Sequence, residues 1–387
     1  MRLITIRYYN ISFLFLMRHI SVTFIYETVF AISDKINVAF FSDHQKGYAL
    51  PMNKITIKTL AKELNLSVST ISKAMRDSHE ISAETKFRVN KLVQKLNYVA
   101  NPYASSLRKR KSKTIGVVIP EVVDSFFAQA INGIEAAAQQ KGYHVLIYLT
   151  HENFIKEKSI LKDFESGRVD GVLLSVSRET IQFDHVNELI TMGVPVILFD
   201  RVLEDSETTK IITNDEESAY QATSLLIKKG CTQVLFLSFS NTLSISNKRL
   251  IGYKNALQDH QIKIVEKNIL HFNDVVKTDK LLLKKRLAKA NKNDGILVSV
   301  EKLAITVYQV CAELKLKIPD DIQVVSFSNL DTAAYLNPPL TTITQPAFDI
   351  GKTAASILIT ALEKKGVLVK EEIIIPSTLV IRKSTFV

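Results

Sequence analysis

The feature that most constrains this chain is the stretch 55–107, in which residues 56–75 predict two short helices joined by a tight turn. The apolar positions of the first helix recur at i, i+3, i+4 and i+7 and are Ile57, Leu60, Ala61 and Leu64. Thr56 can cap this helix, and Asn65 supplies the turn because its short side chain tolerates a left-handed backbone. The pattern therefore predicts a helix-turn-helix.

The second helix of this pair is predicted to have a polar outer surface. Its buried side is formed by Leu66, Ile71, Ala74 and Met75. Its outer residues are small hydroxyl side chains and one cation, namely Ser67, Ser69, Thr70, Ser72 and Lys73. Such a surface suits the major groove of DNA.

A third helix is predicted from the capping residue Ser82 to Asn97. Its apolar positions are Ala83, Phe87, Val89, Leu92, Val93 and Leu96. Beyond it, Asn101 can cap a further short helix whose first residue is Pro102. This last helix is too short to be stable in isolation.

The positive charge of the chain is concentrated in the same stretch. Residues 54–113 contain 10 Lys and 4 Arg against 4 Asp or Glu, which is +10 of the chain's net +11. The residues after Lys113 hold 31 basic and 32 acidic side chains. A local basic footprint is what binding to nucleic-acid phosphates requires. The alternative is a solvated basic face on an ordinary helical hairpin.

After this basic run the sequence alternates between strands and helices. The predicted strands are continuous apolar runs at 114–120, 143–149, 172–175, 196–199, 211–213, 234–238, 296–299 and 324–327. Amphipathic helices are predicted between them at 125–141, 218–229, 250–260 and 303–314. Runs of this kind are typical of strands buried on both faces, so we expect parallel sheets with right-handed crossovers. This many strands require two sheets.

The helical stretch resembles the lactose/galactose-repressor (LacI/GalR) family of bacterial transcription regulators. The resemblance rests on the pattern T-[IL]-x-x-[LV]-A-x-x-[LA]-x-[VL]-S-x-[ST]-T-[IV]-S from Thr56 and on the hinge start N-Y-x-x-N from Asn97. One departure is Ala100, which stands where a proline usually precedes the hinge asparagine. The rest of the chain resembles the periplasmic-binding-protein-like sensor of the same family, for example at Asp124-Ser125-Phe126-Phe127 and Phe199-Asp200-Arg201.

This resemblance implies an N-terminal all-α helix-turn-helix headpiece at 53–100, a hinge helix and linker at 101–113, and an α/β two-lobed core at 114–387 with doubly wound parallel sheets. Lobe 1 would contain 114–213 and 344–372, and lobe 2 would contain 214–343 and 373–387. The chain would cross between the lobes near 213–214, 342–345 and 371–373. Ligands of open parallel sheets bind beyond the carboxyl ends of the strands, so we expect an effector in the cleft between the lobes.

The resemblance also assigns DNA-binding residues. Those expected at base edges are Val68, Ser69 and Lys73, those expected at phosphates are Thr56, Thr70, Ser72 and Arg76, and those expected in the hinge are Asn101, Ala104 and Leu107. In this family a hinge leucine from each subunit of a dimer enters the minor groove and opens the central base step. The alternatives are that Val68 is a partly buried anchor, that Lys73 binds only phosphate, and that Leu107 packs between helices.

For the effector, the resemblance implies Ser125, Phe126, Phe127, Asp200, Arg249, Phe272 and Ser328, with Phe272 as a stacking wall. Aromatic planes with one guanidinium suit a sugar or a small anion, and a sugar-type effector is the expectation. Two departures leave its identity open. Val300-Glu301 replaces the usual Asn-Asp after strand 296–299, and Ser328 replaces an aspartate. Each cleft residue could instead serve core packing or lobe closure.

The first 52 residues have a different character. The apolar run 11–17 ends at Arg18; it is too short to span a bilayer, and no cleavage site for a signal peptide follows closely. Because a headpiece of this family would start at Met52, we expect residues 1–52 to be a non-native or disordered extension. A membrane-associating tail is the alternative.

The expected function is that of a homodimeric DNA-binding repressor of a near-palindromic operator, located in the cytoplasm and controlled by an effector. Cys231 and Cys311 are the only cysteines of the 387 residues, and without metal-ligand spacing they fit a reducing compartment and predict no metal or cofactor. An enzyme is one rival, but the sequence has no phosphate-binding glycine loop and no H-E-x-x-H or G-x-S-x-G motif. An exported solute-binding protein is the other, and it would lack the stretch 55–107.

Overall fold

The helical headpiece and the core separate into two units in the computed structural model, which describes residues 55–98, 112–272, 277–290, 294–364 and 368–385. The predicted extension, residues 1–52, lies outside the described residues. The hinge residues Asn101, Ala104 and Leu107 also lie outside them.

The headpiece consists of α1 (Ile57–Leu64), α2 (Val68–Met75) and α3 (Ala83–Lys95). Each helix begins after a hydroxyl residue whose side chain accepts a hydrogen bond from a backbone N–H three positions on, and these residues are Thr56, Ser67 and Ser82. Asn65 ends α1 with φ 52° and ψ 44°. The left-handed turn and the caps at Thr56 and Ser82 confirm the predicted helix-turn-helix.

The core of the headpiece is small. Its buried residues are Leu60, Ala61, Ile71, Ala74 and Val89. Phe87, which the sequence analysis assigned to the apolar face of α3, is 68% exposed, so that assignment was wrong. Phe87 lies two positions before Val89, which places the two side chains about 200° apart around the helix.

The C-terminal unit contains two six-stranded sheets among the described residues. The first sheet consists of β1 (Thr114–Ile119), β2 (His144–Leu149), β3 (Gly171–Leu174), β4 (Val196–Phe199), β5 (Lys210–Ile212) and β11 (Glu372–Ile374). Its strands are all parallel, in the order β11-β5-β4-β3-β1-β2. Strand β2 is at an edge and is partly exposed along its length, contrary to the prediction of burial on both faces.

The second sheet consists of β6 (Gln233–Ser238), β7 (Ile269–His271), β8 (Asp294–Val298), β9 (Ile322–Phe327), β10 (Thr341–Thr344) and β12 (Thr378–Val380). Its order is β12-β10-β9-β8-β6-β7. Four of its five pairings are parallel, but β12 runs antiparallel to β10. This sheet is therefore mixed at one edge, whereas the sequence predicted parallel pairing throughout.

Helices cover both faces of each sheet, which confirms the doubly wound α/β architecture. They are α4 (Ser125–Gln140), α5 (Phe154–Phe164), α6 (Asp184–Thr191), α7 (Asp215–Lys228), α8 (Ser244–Asp259), α9 (Lys277–Leu287), α10 (Glu301–Leu314) and α11 (Ala347–Lys364). In lobe 1, α4 and α11 contribute to one buried apolar cluster and α5 and α6 to another. In lobe 2, the corresponding pairs are α7 with α8 and α9 with α10. Within the described residues, none of the helices has the length and apolarity needed to span a membrane.

The chain passes between the two sheets three times. The first two passages lie between β5 and α7 and between β10 and α11, at the positions that the family resemblance implied. The third lies at residues 375–377, between β11 and β12. It follows the expected position 371–373 because Glu372–Ile374 still pairs with β5.

Glycine permits the closest contact between helices in lobe 1. A Cβ atom at Gly133 of α4 would lie 2.0 Å from the backbone oxygen of Phe348, and one at Gly351 of α11 would lie 2.0 Å from the backbone oxygen of Ala130. Both distances are far below van der Waals contact. The spacing of α4 and α11 therefore requires glycine at these two positions.

We predict that Gly133→Ala lowers the free energy of unfolding by about 2–3 kcal/mol, because the added methyl group must push backbone apart. Urea denaturation measures the loss. Asn132→Ala, an exposed change on the same helix, is the matched control and should leave stability nearly unchanged. Equal stability of the two variants would contradict this account of the packing.

Candidate nucleic-acid interface and effector cleft

The outer surface of α2 presents hydroxyl groups and cations. Ser69, Lys73 and Arg76 are exposed, whereas Thr70 and Ser72 are half-buried. Arg76 donates from Nη2 to the Ser72 hydroxyl at 3.0 Å. This surface can donate several hydrogen bonds to phosphate or to base edges.

Two of the predicted DNA-binding residues have additional contacts within the headpiece. Val68 is half-buried and packs against the headpiece core, so part of its side chain stays at the outer surface of α2. Lys73 forms an ion pair with Glu80, and both side chains are about half exposed. An exposed pair of this kind contributes little to stability. Lys73 can therefore exchange Glu80 for another anion at small cost.

The cleft of the core lies where strands of both sheets end. Asp200 follows β4, Ser299 follows β8, Ser328 follows β9, and Gln345 follows β10. The residues that line its central cavity are Asp124, Phe126, Phe127, Asp200, Arg201, Ile245, Arg249, Ser299, Val300, Glu301, Phe327, Ser328, Asn329 and Gln345. The cavity has a volume of about 30 Å³, which is the size of one or two water molecules.

Arg249 contacts three groups in the cleft wall of lobe 2. Its Nε atom lies 2.7 Å from Asp215 Oδ1, its Nη1 atom donates to the backbone oxygen of Ser299, and its guanidinium carbon lies 3.8 Å from the centroid of the Phe327 ring. Its Nη2 atom is buried and has no hydrogen-bond partner among the described residues. Arg249 therefore offers one free donor to a ligand.

Arg201 and Asp200 belong to the wall contributed by lobe 1. Arg201 Nη1 lies 2.8 and 2.9 Å from the two carboxylate oxygens of Glu152, and its guanidinium stacks 5.5 Å from the centroid of the Phe127 ring. Asp200 has φ 60° and accepts a hydrogen bond from Gln345 Nε2 at 3.4 Å. Burial raises the pKa of Asp200 to about 7, against the opposing effect of Arg201 and Arg249.

Glu301 is a cleft residue that was not predicted from the sequence to bind the effector. Its Oε1 atom accepts a hydrogen bond from the backbone N–H of Ser125 at 2.8 Å, and its Oε2 atom accepts one from the backbone N–H of Asn329 at 3.2 Å. Ser125 belongs to lobe 1, whereas Asn329 belongs to lobe 2. The signal in the sequence was the Val300-Glu301 departure from the family pattern.

The structure brings together most of the predicted effector residues. Those that line the cavity are Phe126, Phe127, Asp200, Arg249 and Ser328, and Ser125 reaches the cleft through its backbone N–H. Phe272 does not line the cavity: it is 1% exposed and packs in the apolar core of lobe 2 with Leu237 and Leu283. The prediction of Phe272 as a stacking wall is therefore wrong, because its side chain fills the interior between the sheet and α9.

Other lining residues were missed by the sequence analysis. They are Asp124, Arg201, Ile245, Ser299, Val300, Glu301, Phe327, Asn329 and Gln345. Several directly adjoin a predicted residue, such as Arg201 beside Asp200 and Phe327 beside Ser328. Adjacency to a strand end was the signal that could have found most of them, but Asp124 and Ile245 lie several residues beyond a strand.

The sequence matches two family models. Residues 56–101 match the bacterial regulatory proteins of the lacI family, and residues 223–385 match the periplasmic binding protein-like domain. The chain belongs to the LacI family. Both LacI-family parts are thus present in one chain, the DNA-binding headpiece and the two-lobed core.

Known LacI-family proteins support this assignment. The chain is 29% identical over 312 residues to the HTH-type transcriptional repressor PurR of Vibrio atlanticus, covering 80% of this chain and 92% of that protein. A regulator from Alkaliphilus metalliredigens, solved with D-xylulofuranose, is 26% identical with a TM-score of 0.62 and covers 71% of this chain and 100% of its own. The fold is also that of the Lac repressor dimer bound to operator, with 22% identity, a TM-score of 0.75, and coverage of 87% of this chain and 100% of that chain.

The raised pKa of Asp200 predicts a specific pH dependence. A carboxyl with a raised pKa holds its proton more tightly in the folded state, so its contribution to stability is fully present below its ordinary pKa of 3.8 and is lost as the pH rises through about 7. Asp200→Asn should remove this loss, and asparagine also tolerates the positive φ. We expect the difference in melting temperature, Asp200→Asn minus wild type, to increase as the pH rises from 3.8 to about 7 and to stay constant above about 7.

Differential scanning fluorimetry across this pH range measures the effect. Asp205→Asn, a change at an exposed carboxyl, is the control and should follow wild type. A pH profile of Asp200→Asn parallel to that of wild type would show that Asp200 does not titrate there.

Proposed function

We propose that this protein is a homodimeric transcription repressor that binds a near-palindromic operator and is controlled by a small polyhydroxylated effector in the cleft of its core. The observation that carries the proposal is the capped helix-turn-helix with a hydroxyl-rich, cationic outer surface on α2, in the same chain as a cleft at strand ends. One headpiece reads only half of a palindrome, so two copies are required.

In the DNA complex, α2 would enter the major groove. Ser69, Lys73 and Val68 would meet base edges, while hydroxyls and Arg76 would hold phosphates and fix the orientation of the helix. The hydroxyls assigned to phosphates are those of Thr56, Thr70 and Ser72. For the hinge, the family resemblance supports insertion of Ala104 and Leu107 into the minor groove.

For the effector, the chemistry of the cleft favours ligands with hydroxyl groups. A hydroxyl can accept from Arg249 Nη2 and donate to Asp200 at the same time, and the Phe126 and Phe127 rings can cover the apolar face of a sugar. The sugar seen in the Alkaliphilus relative supports this class. The cavity of about 30 Å³ is too small for such a molecule, so binding requires the lobes to separate at the three interlobe passages.

An effector that prefers one arrangement of the lobes shifts the population toward it and thereby changes operator affinity. The related proteins are transcription repressors rather than enzymes, and we expect no catalytic turnover from this chain. A repressor acts on chromosomal DNA, so we place the protein in the cytoplasm.

We predict that Arg76→Ala weakens binding to every duplex sequence by a similar factor, because Arg76 holds phosphate. The slope of log affinity against log salt should become shallower by about 1. Fluorescence anisotropy with a labelled duplex at several salt concentrations measures both quantities. Lys254→Ala, which removes a half-exposed cation of the core, is the control, and a slope unchanged by Arg76→Ala would refute the phosphate contact.

We predict that Arg249→Lys lowers effector affinity by about tenfold or more while DNA binding is retained, because lysine keeps a positive charge near Asp215 but lacks the planar fork that provides Nη2. The measurement is the rise in melting temperature with sugars, sugar alcohols and nucleosides, followed by titration of any ligand that stabilises wild type. An unchanged dissociation constant in Arg249→Lys would rule out this guanidinium as a ligand contact.

A further inference from the structure

Glu301 joins the two lobes through one carboxylate. It is the first residue of α10 and is 8% exposed. One of its oxygens accepts from the first backbone N–H of α4, at Ser125. The other faces its own lobe, where it accepts from the Asn329 backbone at 3.2 Å and lies 3.4 Å from the Ser328 hydroxyl. Both carboxylate oxygens therefore accept hydrogen bonds, one from lobe 1 and the other from lobe 2.

The position of this carboxylate is one in which proteins bind anions. The first backbone N–H groups of a helix have no partner within the helix and carry a partial positive charge, so they bind phosphate, sulfate or carboxylate groups. At the N-terminus of α4, two of these N–H groups already have carboxylate partners from the protein, one from each lobe. Asp124 accepts from the N–H of Phe126 at 2.9 Å, and Glu301 accepts from Ser125.

The guanidinium groups of the cleft do not offset these carboxylates. Arg249 is paired with Asp215, and Arg201 is paired with Glu152 and, at 4.0 Å, with Asp200. Apart from these pairs, the cavity lining has two further carboxyl groups, those of Asp124 and Glu301. An anionic ligand would be repelled by this excess. By contrast, Arg249 Nη2 and Ser299 Oγ are buried without a hydrogen-bond partner among the described residues, and both can bind a neutral ligand oxygen.

A second contact fixes the same closed arrangement beside Glu301. Asn329 of lobe 2 donates from Nδ2 to Gln129 Oε1 of lobe 1 at 2.8 Å, and Gln129 Nε2 donates to the backbone oxygen of Asn329 at 3.1 Å. Because Asn329 also donates its backbone N–H to Glu301, these contacts form one connected network across the cleft. Closure therefore depends on side chains of the protein itself.

On the basis of the proposed function, we propose that Glu301 is a built-in anionic ligand of the cleft, which closes the two lobes on its own carboxylate and excludes effectors that bear an anionic group. A sugar alcohol or an amino sugar meets this requirement, whereas a sugar phosphate or sugar acid does not. The closed arrangement is then populated by the protein without help from a bound anion.

The test is hydrogen exchange at the Ser125 amide in the full-length protein without DNA. Glu301→Ala should speed this exchange by about tenfold, since a charge-assisted hydrogen bond is lost. Sodium acetate should slow the exchange again by supplying a carboxylate, whereas sodium chloride at equal concentration should not. Glu313→Ala removes an exposed carboxylate from the same helix and should behave as wild type throughout.

Wild-type exchange in Glu301→Ala, or equal effects of acetate and chloride on that variant, would overturn the proposal. If Glu301→Ala does not fold, Glu301→Gln decides: a several-fold increase in Ser125 exchange is expected because a neutral acceptor binds more weakly, and no increase would overturn the proposal. DNA binding is a separate measurement. A negative result in the exchange experiment therefore leaves the proposed DNA-binding function untouched. If DNA binding is absent, the Glu301–Ser125 contact can still be tested by exchange.

Discussion

The buried pair of Arg249 and Asp215 holds the cleft in shape. Both side chains are almost fully buried, and a buried charge without its partner costs several kcal/mol. The guanidinium also bonds the backbone after β8 and lies on the Phe327 ring at the end of β9. One side chain thus connects α7, α8 and the carboxyl ends of two strands, so the cleft wall of lobe 2 cannot change without breaking this pair.

The headpiece was the easier part to predict because its signals are local. The turn at Asn65 and the caps at Thr56 and Ser82 depend on neighbouring residues alone. The buried face of α3 was harder to predict. Phe87 is apolar but exposed, and only the packing of α3 against α1 and α2 determines which of its apolar residues are buried. In the core, apolar runs identified most of the central strands and the three-residue strand β5, whereas the equally short β7, β11 and β12 and the four-residue β10 were not predicted. Helices α5, α6, α9 and α11 were not among the predicted ones, although in α11 Ile350, Ala354 and Leu358 recur at helical spacing.

The location of the cleft could be predicted from the sequence, but most of the contacts between its side chains could not. Parallel strands end at one edge, so Asp200 and Ser328 could be assigned from their position after an apolar run. Phe272 also follows a strand, but β7 lies at the edge of its sheet and its end does not reach the cavity. The role of Glu301 depends on contacts with Ser125 and Asn329, which are far from it in sequence. A sequence departure could draw attention to Glu301 but could not reveal its partners.

The proposed function requires two subunits to read a two-fold DNA site, each through its helix α2. Selection of duplexes from a random pool by the purified full-length protein, followed by sequencing, tests it most directly. Enrichment of one near-palindromic sequence with two similar half-sites is expected. A pool that stays random after repeated rounds at low salt, or enrichment of a single unrepeated half-site, would contradict this requirement.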